Sequence, residues 1–145
     1  MKPRRPGLVV IDNEAVTALA DPANPKHTDA LAYLEVTNER RSRAERVRVV
    51  VPVAVRIEAG WDRRRAAAAN LNRICGPGDH QLDTSAADRA TELALLEPAA
   101  SVVDVTVAQA AEAAEPGPVA IVTSDRGDFE RLAIHLNRPV VIAVI

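Results

Sequence analysis

The hydrophobic positions fall into short apolar runs separated by longer stretches with helical spacing. Leu8-Val9-Val10-Ile11 lies between Gly7 and Asp12, and a run without polar interruption predicts a strand covered on both faces. Val47 to Val53, rich in β-branched residues, predicts a second strand. His80 to Leu82 predicts a short third, Val119 to Thr123 a fourth and Val140 to Ile145 a fifth. Glu14 to Ala20 reads as a helix that the turn Asp21-Pro22-Ala23-Asn24-Pro25 interrupts, with a second helix from about Thr28 to Arg46. Ala54 to roughly Ile74 reads as one helix, helped by the run Ala66 to Ala69 and stopped by Gly76-Pro77-Gly78. Thr84 or Ser85 is placed to cap a helix running to Leu96, with Pro98 closing it. Ser101 to Ala114 is divided: four valines favour a strand, and the Ala-rich continuation favours a helix. A short helix is predicted around Asp128 to Leu136.

Strands alternating with helices predict an α/β fold with a parallel sheet and right-handed crossovers, so that the C-terminal ends of the strands share one edge. Ligands of such open sheets bind at that edge, where the strand order reverses. With no repeat, linker or low-complexity tract, residues 1–145 read as a single domain.

Composition narrows the classes. Tyr33, Trp61 and Phe129 are the only aromatic residues, too few to build the stacking surfaces of passive single-strand RNA readers. The one cysteine, Cys75, excludes an internal disulfide and a cysteine-based zinc site, and points to the cytosol and a packing role. No apolar stretch is long enough to span a bilayer or form a signal-peptide core. The net charge of -2 conceals arginine clusters, Arg40, Arg41, Arg43, Arg46 and Arg48 in one, Arg63, Arg64 and Arg65 in another. Guanidinium groups suit phosphate, although an arginine run is more often a solvated helix face. The second cluster follows Glu58 closely and flanks whatever that residue binds. His27, His80 and His135 are not spaced as zinc ligands and read as surface or packing residues.

Against this ordinary background four carboxylates stand out: Asp12 after the first apolar run, Glu58 in Arg-Ile-Glu-Ala-Gly-Trp, Asp104 in Ser-Val-Val-Asp, and Asp125 in Thr-Ser-Asp-Arg-Gly-Asp-Phe. Acids at the ends of apolar runs carry a desolvation cost that a bound hard cation explains. A gathered set would serve metal-assisted chemistry on phosphates.

These segments resemble, in order and over nearly the whole chain, the acidic motifs of the PIN domain, and within that family the ribonuclease toxins of bacterial VapBC toxin–antitoxin pairs. Val-Ile-Asp at 10–12, Glu58, Val-Val-Asp at 102–104 with Ala108, Ala110 and Ala111, and Thr-Ser-Asp-x-x-Asp-Phe at 123–129 carry the likeness. The resemblance implies a PIN-like three-layer fold with a five-stranded parallel sheet of order 3-2-1-4-5, and it makes Ser101 to Ala114 a helix with Asp104 near its start. It implies a Mg²⁺- or Mn²⁺-dependent endoribonuclease, the toxin of a type II pair, with Asp12, Asp104 and Asp125 as metal ligands and Glu58 acting through a metal-held water or as base. It also implies a homodimer and a VapB-type antitoxin whose C-terminal segment covers the acidic groove. RNA contacts fall to Arg63, Arg64, Arg65 and Arg126.

Several residues carry a plain reading beside the functional one. Asp128 supports the pocket or caps the helix led by Phe129. Thr123 and Ser124 orient phosphate or carboxylates, or merely end the strand. Asn13 and Glu14 depart from the family, which often has Ser or Thr two places after the first Asp, and Glu14 either points away or adds charge to the pocket. Trp61, three residues after Glu58 on the same expected helix, reads as a packing residue. Receiver-like and haloacid-dehalogenase-like phosphotransfer proteins need a late lysine, and none follows Lys26. A Rossmann or P-loop enzyme needs a glycine-rich turn where Asp12-Asn13-Glu14-Ala15 stands. The remaining alternative is a catalytically weak or inactive PIN-like module that binds protein or RNA.

Overall fold

A computed structural model describes residues 6–42, 48–114 and 117–145, with backbone alone for 35–42. Five strands alternate with helices: β1 (Leu8–Ile11), α1 (Asn13–Ala20), α2 (His27–Ser42), β2 (Arg48–Pro52), α3 (Val53–Ala59), α4 (Ala69–Cys75), β3 (Asp79–His80), α5 (Thr84–Leu96), α6 (Val102–Ala113), β4 (Val119–Thr123), α7 (Arg126–Ala133) and β5 (Val140–Val144). The sheet is wholly parallel, in the order β3-β2-β1-β4-β5. The α/β class and strand order therefore agree with the sequence expectation.

Every residue of β1 and β4 is buried. Because successive side chains point to opposite faces, complete burial means that both faces of these two strands are covered. Helices α1, α2 and α4 pack together, with α1 also reaching β4, while α6 lies against β1, β2 and β4 and holds α5 and α7 against itself. The run Val105 to Ala111 of α6 is buried throughout. Its alanines let the helix axis approach the sheet closely, and its β-branched residues pack in helical spacing instead of extending. Ser101 begins the helix by accepting the Asp104 backbone N–H at 3.0 Å. Tertiary burial thus decides the segment whose propensities were divided.

The expected helix from Ala54 to Ile74 is broken. α3 stops at Gly60, whose φ of 65° is the left-handed conformation that glycine adopts without strain. Asp62 then makes a turn by accepting the Arg64 backbone N–H at 3.0 Å, and the alanine run forms a single 3-10 turn, Ala66–Ala68, leading into α4. Trp61 consequently lies beyond α3 instead of on it. It is a packing residue, 5% exposed. The cap of α5 is Asp83, one residue earlier than expected, accepting from the Ala86 N–H at 2.8 Å. The third strand is Asp79–His80, paired through Val51 and Pro52. Here Gly78 is required by close approach, since a Cβ would run into the Val49 carbonyl oxygen.

The arginine cluster at 40–48 lies mostly outside the described residues, which include only Arg48 as a complete side chain; that residue is exposed. Among the described residues no helix is long and apolar enough to cross a membrane.

Candidate functional site

The strand order reverses between β1 and β4, which pair with Ile11 opposite Val122. The next residues are Asp12 and Thr123, so the crevice expected at a switch point falls on the first acid. Asp12 is the N-cap of α1. Its Oδ1 accepts the Ala15 N–H at 2.8 Å, its own N–H donates to Val122 O at 3.2 Å, and it is 4% exposed. Burial pushes its carboxyl up to about 6, against hydrogen bonding from the Thr123 hydroxyl and Ala15, while the charges of Glu14 and Asp104 push it further up. Thr123, fully buried, also accepts the Asp125 N–H at 2.9 Å. One hydroxyl thereby ties the acid after β1 to the acid after β4. Ser124 is half-buried between them in sequence.

Asp125 is exposed and caps α7, with Oδ1 accepting the Asp128 N–H at 3.0 Å. The cap expected at Asp128 therefore belongs to Asp125, and α7 begins earlier than predicted. Asp128 is placed in the first turn, paired with Arg131, and shares a hydrogen bond with the Asp125 carboxyl. The backbone N–H of Asp128 and that shared bond lower Asp125, and the same bond raises Asp128. Arg131 also reaches Glu97 at 3.6 Å.

Asp104, in the first turn of α6, joins the two groups. Burial raises its carboxyl, Ser101 opposes the shift, and the charges of Asp128 and Asp125 add to it. Since Asp104 in turn acts on Asp12, the expected acids form a continuous electrostatic series at one edge of the sheet. They do not converge as a close cage: among the described residues no three His, Cys, Asp or Glu side chains are grouped to hold a metal ion directly.

Glu58 lies on α3. It is exposed, and its Oε1 accepts a hydrogen bond from Asn13 Nδ2 at 2.8 Å. The other amide atom, Asn13 Oδ1, is withdrawn from solvent and has no hydrogen-bond partner. Sequence reasoning noted Asn13 only as a departure from a family pattern; the contact depends on α3 docking beside α1, which no local pattern encodes. Glu14 is exposed and pairs with Lys26 at 3.5 Å, yet its charge still acts on Asp12. Both readings of that residue thus hold in part.

The arginines after Glu58 separate. Arg63 turns inward: it stacks 4.3 Å from the centroid of the Trp61 ring, bonds Asp79 Oδ1 at 2.7 Å and donates to Gly76 O at 2.9 Å. Arg56 holds the other oxygen of Asp79 at 2.5 Å. Arg64 is 89% exposed and pairs with Asp62, and Arg65 is exposed. Arg126 is exposed and pairs with Glu130 at 3.2 Å. Arg64, Arg65 and Arg126 are accessible to a polyanion, whereas Arg63 is part of the fold. The histidines have packing partners: His27 bonds Ala18 O at 2.7 Å, His80 bonds Gln109 at 2.9 Å, and His135 lies 3.5 Å from Glu97.

Carboxylates and a hydroxyl make an all-oxygen donor set, the chemistry of a hard divalent cation. Magnesium commonly uses only one or two carboxylates and keeps several waters. The residues present therefore fit an ion held largely through its waters, better than one enclosed by protein oxygens. Comparison with protein-family models and with curated proteins finds no match to this chain.

Proposed function

We propose that the protein is a metal-dependent endoribonuclease of the PIN family, the toxin of a type II toxin–antitoxin pair of the VapBC kind. The observation that carries this reading is Asp12, a carboxyl buried at the switch point of the sheet, tied through Thr123 to Asp125 and acted on by Asp104. A buried acid that resists ionisation gains from a nearby cation. Mg²⁺ or Mn²⁺ bound there supplies an acidified water and polarises the scissile phosphate. Asp12 and Asp104 would hold the ion, Asp125 would assist from the end of β4, and Glu58 would orient a metal-held water. Thr123 and Ser124 fix the strand end, Asp128 restrains Asp125, and Arg64, Arg65 and Arg126 draw the RNA backbone toward the edge.

The same reading places the protein in the cytoplasm as a homodimer. It assigns a VapB-type antitoxin that sets a basic side chain against the acids, a contact an ion-free acidic edge favours. A second reading, a PIN-like binding module of little or no activity, draws on the failure of the described acids to converge. RNA cleavage by purified protein separates the two. Mn²⁺-dependent cleavage should stop with EDTA and fall by roughly a hundredfold or more in Asp12→Ala and Asp104→Asn, since losing an ion that contributes several kcal/mol costs tenfold per 1.4 kcal/mol. Cleavage indifferent to EDTA and to both substitutions rejects the metal mechanism, and folded protein that binds RNA without cutting it supports the second reading.

A further inference from the structure

The two edges of the sheet are built differently. β3 closes one of them with only Asp79 and His80, and Arg56 and Arg63 hold Asp79 there. A strand so short and so charged offers another chain little to pair with. β5 closes the other edge with Val140-Val141-Ile142-Ala143-Val144, in unbroken register with β4 and followed by Ile145. It carries no charge, proline or bulge, the devices that protect an edge. The Ile145 N–H donates to Thr123 O, so alternation along the strand turns the backbone groups of Val141 and Ala143 toward β4 as well, and those of Val140, Ile142 and Val144 outward. Among the described residues no other backbone group bonds these outward ones. Val141 and Val144, on opposite faces of the strand, are 54% and 45% exposed. A hollow of about 620 Å³ lined by Pro118, Pro139, Val140 and Val141 continues this apolar edge at the start of β5.

We propose that β5 pairs with β5 of a second copy, antiparallel across a two-fold axis at Ile142, joining the two five-stranded sheets into one. In that register Ile142 faces its own counterpart and Val140 faces Val144 of the second copy, so every outward N–H and C=O finds a partner. Val141 lies opposite Ala143 of the second copy, and each exposed valine thereby meets an apolar residue. Order and charge select this occupant. A free peptide gives up backbone freedom at each residue it extends, whereas β5 of a second copy is already held extended by β4. An uncharged strand also meets itself without like-charge repulsion, and a net charge of -2 puts little between the two copies. The homodimer assigned above names no interface; this one stands without the nuclease reading. Antiparallel pairing also sends the two acidic edges to opposite sides of the joined sheet.

Sedimentation of the full chain over about two decades of concentration tests the pairing without reference to RNA cleavage. Wild type should dimerise reversibly and weakly, as a small interface does. Val141→Lys sets two lysines diagonally across the axis on one face and should weaken the dimer about tenfold or more, with circular dichroism unchanged. Val141→Glu should act alike, and an equal mixture of the two variants should regain a dimer containing one of each. Ile57→Lys and Leu95→Lys, at exposed apolar positions of α3 and α5, should leave the wild-type dimer intact. Should a Val141 variant fail to fold, Val144→Pro, which removes an outward N–H and no bond to β4, must weaken the dimer in its place. A dimer that survives these β5 substitutions, or that dissociates in Ile57→Lys or Leu95→Lys instead, overturns the inference and leaves the homodimer standing. So does a mixture of Val141 variants that fails to pair. A wild type that stays monomeric throughout overturns both.

Discussion

Asp12 releases its proton less readily in the folded chain than in water, its carboxyl standing at about 6 against an ordinary 3.8. Below the lower value both folded and unfolded chains hold the proton, and the group has no influence on stability. As pH rises from about 4 to about 6 the unfolded chain loses its proton first, so the folded state is progressively penalised. Above that window the penalty is complete, about 3 kcal/mol for a rise of this size. Asp12→Asn keeps the helix cap, because Asn and Asp cap equally well, and removes the charge. Denaturant unfolding in EDTA should find this variant more stable than wild type by up to about 3 kcal/mol at pH 7.5 and by only about 0.5 kcal/mol at pH 4; an equal effect at both pH values would contradict the burial argument. The acids themselves were legible in the sequence as charges closing apolar runs. Their connections were not: Thr123 touching two of them depends on β1 lying beside β4, and Asn13 holding Glu58 depends on α3 meeting α1.

At the scale of elements, the break at Gly60 creates the turn that carries Arg63, stacked on Trp61, back onto β3. Asp79 receives Arg56 from one side of that turn and Arg63 from the other, so a single carboxylate fastens α3, with Glu58 on it, to the edge of the sheet. Asp79→Asn leaves two partly buried guanidinium groups short of countercharge. It should destabilise the protein by about 2 kcal/mol, less than for a fully buried pair because water reaches these groups. The decrease should show in the urea midpoint and should diminish when Arg56→Met and Arg63→Met are combined with it. Full additivity of the three changes would mean that the groups do not act together. The strands were readable in advance because residues buried on both faces leave an unbroken apolar run. The helix break was masked by the alanine run that follows it, although the Glu-Ala-Gly-Trp sequence contains the left-handed glycine that ends α3. Asp83 was passed over because Thr84 and Ser85 beside it are equally good caps by type, and only the backbone angle selects among them.

For the whole molecule, a cation that binds only the folded chain adds stability by mass action. At a hundredfold excess over its dissociation constant the gain is about 2.7 kcal/mol, or roughly 5–10 °C in melting temperature for a domain of this size. Mg²⁺ or Mn²⁺ should raise the melting temperature by that amount at pH 8 and by distinctly less at pH 5, where Asp12 keeps its proton; no shift at pH 8 would count against a cation at this edge. Parallel strands also fix the traffic of the chain ends. Gly7 enters the sheet at the edge opposite the acids, donating to Pro118 O at 2.8 Å, whereas Ile145 leaves beside them, its N–H bonded to Thr123 O at 3.0 Å. A purification handle joined after Ile145 would therefore start beside the acids, and a polyhistidine handle there would compete for added metal.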